Sequence, residues 1–159
     1  MMKLLGGILL VLSGLCWGLG EAGRLSRRVR LLTEFQQLMQ ALRTEIAYSS
    51  RPLGEMLSGR DCRFCRAAAD RPEFGWNPAE ALARAGEELL QTPKDRRLFQ
   101  DFAQGLGSSG SQGQLEHLEL HMALAEENLK EAREECREKR RLYIALGLFG
   151  GLTVCILAV

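Results

Sequence analysis

The chain predicts an all-α fold, a helical bundle whose two long seam helices are continuous with an N-terminal and a C-terminal transmembrane helix. Three observations carry this expectation. No charged residue occurs from Leu4 to Gly20 or from Leu142 to Val159, and each run approaches the roughly 20 residues that a helix needs to cross hydrocarbon. Between those runs, apolar residues recur at spacings of three and four, the period of one helical face. No segment alternates apolar and polar residues as a half-buried strand does.

The 159 residues therefore divide into a transmembrane helix at 1–22, a cytoplasmic helical bundle at 23–141 and a transmembrane helix at 142–159. Sidedness follows from the flanks. Arg24, Arg27, Arg28 and Arg30 follow the first run and Arg137, Lys139, Arg140 and Arg141 precede the second, against Lys3 alone outside. Basic residues stay on the cytoplasmic side, so the middle is expected there and both termini on the far side of the membrane. A cleaved secretory signal competes for the first run, with Met1-Met2-Lys3 as its basic start. The four arginines just downstream resist export, and Leu15 occupies the small-residue position that lipid attachment at Cys16 requires.

The first seam runs through Leu25, Val29, Leu32, Phe35, Met39, Leu42 and Ile46, a narrow stripe of coiled-coil type. A second runs through Leu115, Leu118, Met122, Ala125, Leu129, Ala132 and Cys136, with Glu, Lys and Arg between. Each continues into an anchor, and an unbroken helix from Gln114 to Val159 would extend roughly 70 Å. The two seams bury most simply against each other, antiparallel, within one chain or between chains of a homo-oligomer.

Residues 52–107 read as shorter helices. Asn77-Pro78 with Glu80, and Thr92-Pro93 with Asp95, each combine a capping oxygen, a proline at the first helical position and an acid at the third. Leu82, Ala85 and Leu89 then form one apolar face, and Leu98, Phe99, Phe102 and Leu106 another, on two helices of about three turns. Gly105 to Gly113 is a Gly/Ser loop ahead of the last helix.

Candidate chemistry is sparse. Gly105-Leu106-Gly107-Ser108-Ser109-Gly110 spells G-x-G-x-x-G, but a helix precedes it where a dinucleotide fold requires a strand. Cys62-Arg63-Phe64-Cys65 has the spacing of half a zinc site or of a redox pair. His117 and His121 complete a zinc site only if the loop around residue 60 reaches the last helix, and otherwise belong on a polar surface. No metal site, cofactor or catalytic residue is therefore expected, the carboxylates lie on solvated helical faces, and the chain reads as no enzyme. With 20 acidic and 21 basic residues nearly cancelling, there is no nucleic-acid footprint. Gly14 and Gly18 in the first anchor, and Gly147 and Gly151 in the second, are G-x-x-x-G pairs that allow close helix packing.

A set of segments carries a resemblance. Met2-Lys3-Leu4-Leu5-Gly6, Glu45-Ile46-Ala47-Tyr48 with Arg51-Pro52-Leu53, Leu106-Gly107 leading to Gln114 and His117-Leu118, and Tyr143 to Leu152 together resemble the stage III sporulation protein AB family of endospore-forming bacteria. Glu45, Tyr48, Pro52, Leu53, Gly107 and Gln114 are the motif positions. The chain departs from the family at Arg51, often threonine there, and at Ser109, often aspartate. The resemblance implies a component of the complex in the mother-cell membrane around the forespore. It also implies a cytoplasmic domain similar to the inner-membrane platform protein of type II secretion. The lipid bilayer, other subunits of the sporulation channel complex and its secretion-type ATPase are the implied partners. The function expected is a non-enzymatic scaffold linking that ATPase to membrane partners; the alternative is a membrane-tethered metal or redox sensor using Cys62 and Cys65.

Overall fold

The computed structural model describes the backbone of residues 2–49 and 51–158, and the side chains of residues 23–49, 51–139, 141 and 142. The side chains of both expected anchors, Leu142 apart, lie outside those described, and with them the packing expected at Gly14, Gly18, Gly147 and Gly151. Among the described residues no helix is long and apolar enough to cross a membrane, and none forms a strand.

Among the described residues six α-helices follow one another: α1 (Met2–Tyr48), α2 (Leu53–Ser58), α3 (Arg63–Ala69), α4 (Pro78–Leu89), α5 (Pro93–Gly105) and α6 (Ser111–Ala158), with a 3₁₀ turn at Pro72–Gly75. The chain forms two compact units. The smaller comprises Met1–Val29 and Glu131–Val159, the larger Arg30–Lys130.

In the larger unit the α1 stripe is broader than the expected seam. Leu32, Phe35, Met39 and Leu42 are buried as their spacing predicts, and Leu31 and Leu38 are buried beside them. The reason lies in the short helices. Phe64 of α3 and Phe99 and Phe102 of α5 gather around Phe35, with ring centroids 4.5 Å apart for Phe64 and Phe99, 4.7 Å for Phe35 and Phe99, and 5.1 Å for Phe35 and Phe102. A stripe covered on both flanks buries more than one line of residues. Tilted and edge-on ring pairs at such distances add about 0.5–1.5 kcal/mol each to the area they bury.

Helix α4 contributes Ala81, Leu82, Ala85 and Gly86 to this core. Gly86 lies so close to the Phe99 ring that an added Cβ would overlap three ring atoms. Its first turn is capped as expected, with the Glu80 N–H donating to Asn77 Oδ1 at 3.2 Å. Thr92 makes no such side-chain bond at α5, and Asp95 is not a solvated first-turn acid. It is 1% exposed and accepts from Asn128 Nδ2 of α6 at 3.0 Å. This carboxylate departs from the expectation that all of them face water; its partner lies 33 positions away.

Helix α6 begins at Ser111 rather than Gln114, because the Gln114 N–H already bonds the Gly110 carbonyl at 2.9 Å. Leu118, Ala125 and Leu129 are buried, with Leu115 and Met122 half-buried. Arg43 of α1 donates to Glu119 of α6 at 2.6 Å, so the long helices meet within one chain. In the smaller unit Leu25 and Ala132 are buried. Arg28 donates to Glu135 at 3.0 Å, and Ser26 Oγ stands 3.9 Å from Cys136 Sγ. Residue number rises along α1 as it falls along α6 there, which makes the pair antiparallel.

Candidate functional site

Two local arrangements in the larger unit bring chemistry-bearing residues together. The first is the corner where the glycine loop meets α6. Gly107 has φ of +79°, a left-handed conformation that favours glycine and that turns the chain out of α5. Gln114, which the sequence leaves undecided between contact and helix start, is buried and acts as a staple. Its Nε2 donates to the Gly105 carbonyl at 3.2 Å and the Ser109 carbonyl at 3.4 Å. Ser109 also offers its Oγ to that amide at 3.4 Å.

The histidines are not on a polar surface. His121 is only 6% exposed, its Nδ1 lies 2.8 Å from the His117 carbonyl, and its burial pushes the imidazole pKa down. His117 Nε2 lies 2.9 Å from the Phe102 carbonyl, and its ring stacks on Phe102 with centroids 6.2 Å apart. Gly105 makes room for that ring, since an added Cβ would overlap it. The pair is a packing device in the wall between α5 and α6. The G-x-G-x-x-G spacing thus joins two helices, as the sequence expects, and its glycines serve a turn and an imidazole.

The second arrangement is the loop from α2 into α3. Cys62 precedes the first residue of α3, and the Cys65 N–H donates to Cys62 Sγ at 3.2 Å. A further hydrogen bond joins the two sulfurs at 2.7 Å, and both thiols are free. Their environments differ. Cys65 is 1% exposed, whereas Cys62 is half-buried and borders an open cleft of about 490 Å³ with Glu34, Gln37, Arg60 and Arg63 among its walls. Hydrogen bonds from the Cys65 thiol, and then from the Cys65 N–H, bring the Cys62 pKa down to about 7 against burial and the nearby Glu34 charge. The same sulfur–sulfur bond and burial push the Cys65 thiol far up.

Two ion pairs frame this loop. Arg63 grips Glu34 of α1 with Nε at 3.0 Å from both carboxylate oxygens and Nη2 at 2.7 Å from Oε1. That fork holds the Glu34 carboxyl below its usual range. Arg60 Nη2 donates to Glu45 Oε1 at 2.6 Å, which gives the motif residue Glu45 a definite task at the end of α1. Pro52 caps α2 through its carbonyl, which accepts from Glu55 and Met56 at 3.0 and 3.2 Å. Leu53 is half-buried behind it. Tyr48 is 88% exposed.

Among the described residues no three His, Cys, Asp or Glu side chains gather as a metal site would require. Cys62, Cys65, His117 and His121 therefore do not come together as four ligands. The sequence marks the C-x-x-C spacing, but not which thiol faces solvent or that Glu34, almost thirty positions earlier, stands beside it.

Together these features define an all-helical bundle protein, with ion-paired short helices packed on two long ones and a dithiol at one loop. The family model of stage III sporulation protein AB (spore_III_AB) matches residues 3–159. The chain belongs to that family, as its motifs indicate. No curated protein matches it, and no solved structure does.

Proposed function

We propose that the protein is a non-enzymatic platform component of the secretion-like channel complex required for endospore formation, linking a cytoplasmic ATPase to membrane partners. The observation that carries this reading is the family match across residues 3–159. The uncharged ends and their basic flanks support anchorage in the mother-cell membrane, with residues 23–141 in the cytoplasm and both termini on the far side. A helical body braced by ion pairs such as Arg63–Glu34 and Arg60–Glu45 suits a rigid adaptor. G-x-x-x-G pairing of Gly14 and Gly18 with Gly147 and Gly151, or self-association, would suit its membrane part.

Full-length protein solubilised from sporulating cells should co-purify with a secretion-type ATPase, and its absence from the eluate would remove the ATPase link. Deleting residues 52–107 is a poor variant of this experiment, because it takes Phe64, Phe99 and Phe102 out of the core. Alanine at Tyr48 or Trp76, both well exposed, leaves the core intact. Undiminished co-purification of both variants excludes those side chains as contacts.

A second reading, a thiol-based sensor, is favoured by one observation, the direct hydrogen bond between the Cys62 and Cys65 sulfurs. The redox half of the alternative is the half this geometry suits, since the described residues bring two soft ligands together and no more.

A further inference from the structure

We propose that Cys62 and Cys65 form a reversible dithiol–disulfide couple in which Cys62 attacks a hydroperoxide and Cys65 then closes the disulfide. The proposal deepens the thiol-sensor reading and rests on it.

Geometry assigns the two roles. The sulfurs are 2.7 Å apart and a disulfide needs about 2.05 Å, so closure takes less than an ångström of movement. Cys62 borders the cleft while Cys65 does not, so a small oxidant reaches Cys62 and is shielded from Cys65. The hydrogen bonds that lower the Cys62 pKa to about 7 leave a substantial thiolate fraction at neutral pH, and the thiolate is the nucleophile. Around it stand Glu34 from α1, Asp61, Arg60, Arg63 and Arg66 from the loop and α3, and the Cys65 thiol. Arg60, Arg63 and Arg66 are each engaged by a carboxylate, on Glu45, Glu34 and Asp61, so the sulfur–sulfur bond is the largest influence on its ionisation.

The steps balance. The Cys62 thiolate attacks the outer peroxide oxygen, an S–O bond forms, the O–O bond breaks, and the leaving alkoxide takes a proton and departs as alcohol. Cys62 is then a sulfenic acid, oxidised by two electrons, and the peroxide is reduced. The Cys65 sulfur attacks Cys62, the S–S bond forms, the S–O bond breaks, and the hydroxyl leaves as water with the Cys65 proton. One hydroperoxide and two thiols become one disulfide, one alcohol and one water. A dithiol reductant reverses the change by two exchanges, ending as its own disulfide. Oxidation also removes the thiolate charge that Glu34 opposes.

The experiment uses the full chain in detergent micelles, reduced and then exposed to hydrogen peroxide with dimedone present, followed by peptide mapping. The wild type should gain a Cys62–Cys65 disulfide that dithiothreitol removes, and C65S should instead carry dimedone on Cys62. C62S should keep its Cys65 thiol. First appearance of dimedone on Cys65 of the wild type, or loss of that thiol in C62S as fast as in the wild type, overturns the assigned roles. Diamide, which oxidises dithiols without peroxide, separates the two levels of inference. A disulfide with diamide but none with peroxide leaves the sensor reading standing and defeats the hydroperoxide step; no disulfide with either defeats both.

Discussion

Cys62 owes its low pKa to its partner thiol more than to any charge, and that makes a sharp residue-scale expectation. Its rate of alkylation by iodoacetamide should rise with pH about a midpoint near 7, because only the thiolate reacts. Replacing Cys65 by alanine removes the leading cause of the shift, so the midpoint should move up toward that of an ordinary thiol; an unchanged midpoint would count against the sulfur–sulfur bond. Asp95 offers a second test at this scale. Asn128→Ala takes a donor from a carboxylate that is fully enclosed, and should cost about 1–3 kcal/mol in a urea titration. Sequence pattern pointed to the two cysteines by their spacing. It misplaced Asp95, because a first-turn acid after proline looks the same whether its side chain meets water or a residue 33 positions further along the chain.

Among the elements, α4 and α5 start with the same grammar and use it differently. Asn77→Ala loses the bond from the Glu80 N–H and should lower stability by about 1 kcal/mol. Thr92→Ala, at a start where the threonine side chain makes no cap bond, should cost less; equal losses would show that the two starts are equivalent. Glycine positions behave likewise. Gly86→Ala drives a methyl into the enclosed Phe99 ring and should cost about 1–3 kcal/mol, read as a lower unfolding midpoint. Periodicity made α4, α5 and both long helices legible, with ends in error by a few residues. It gave no warning that Gly86 is a packing glycine, because the ring it touches belongs to another helix. The short helices α2 and α3 were legible only as a class, since one or two turns carry too little period to register.

At the scale of the whole molecule, the Glu34–Arg63 fork ties α3 to α1 across a long stretch of sequence, and its ionisation sets an acid limit. Glu34 sits below its ordinary value of 4.5 in the fold. The stability it adds is therefore present above that value and lost as pH falls through the folded pKa. Buried His121 acts in the same direction nearer neutrality: its folded pKa lies below the ordinary 6.5, so protonation favours the unfolded chain once pH drops under that value. Thermal unfolding should accordingly move to lower temperature on acidification, in an upper step that His121→Gln reduces and a lower one that Glu34→Gln reduces. Topology adds a further test. A membrane-impermeant maleimide should label Cys62 only after cells are permeabilised, and labelling in intact cells would overturn the proposed sidedness. Cys65, 1% exposed, is too enclosed to serve as a reporter.

The phenylalanine cluster has a bearing on how the chain is made. Phe35 leaves the ribosome first, and Phe99 and Phe102 follow about sixty residues later, a delay on the order of several seconds at roughly 5–20 residues per second. Throughout that interval the stripe from Leu31 to Leu42, buried in the finished fold, has no α5 to cover it, so its apolar surface stays open to solvent or to other chains until the second half emerges.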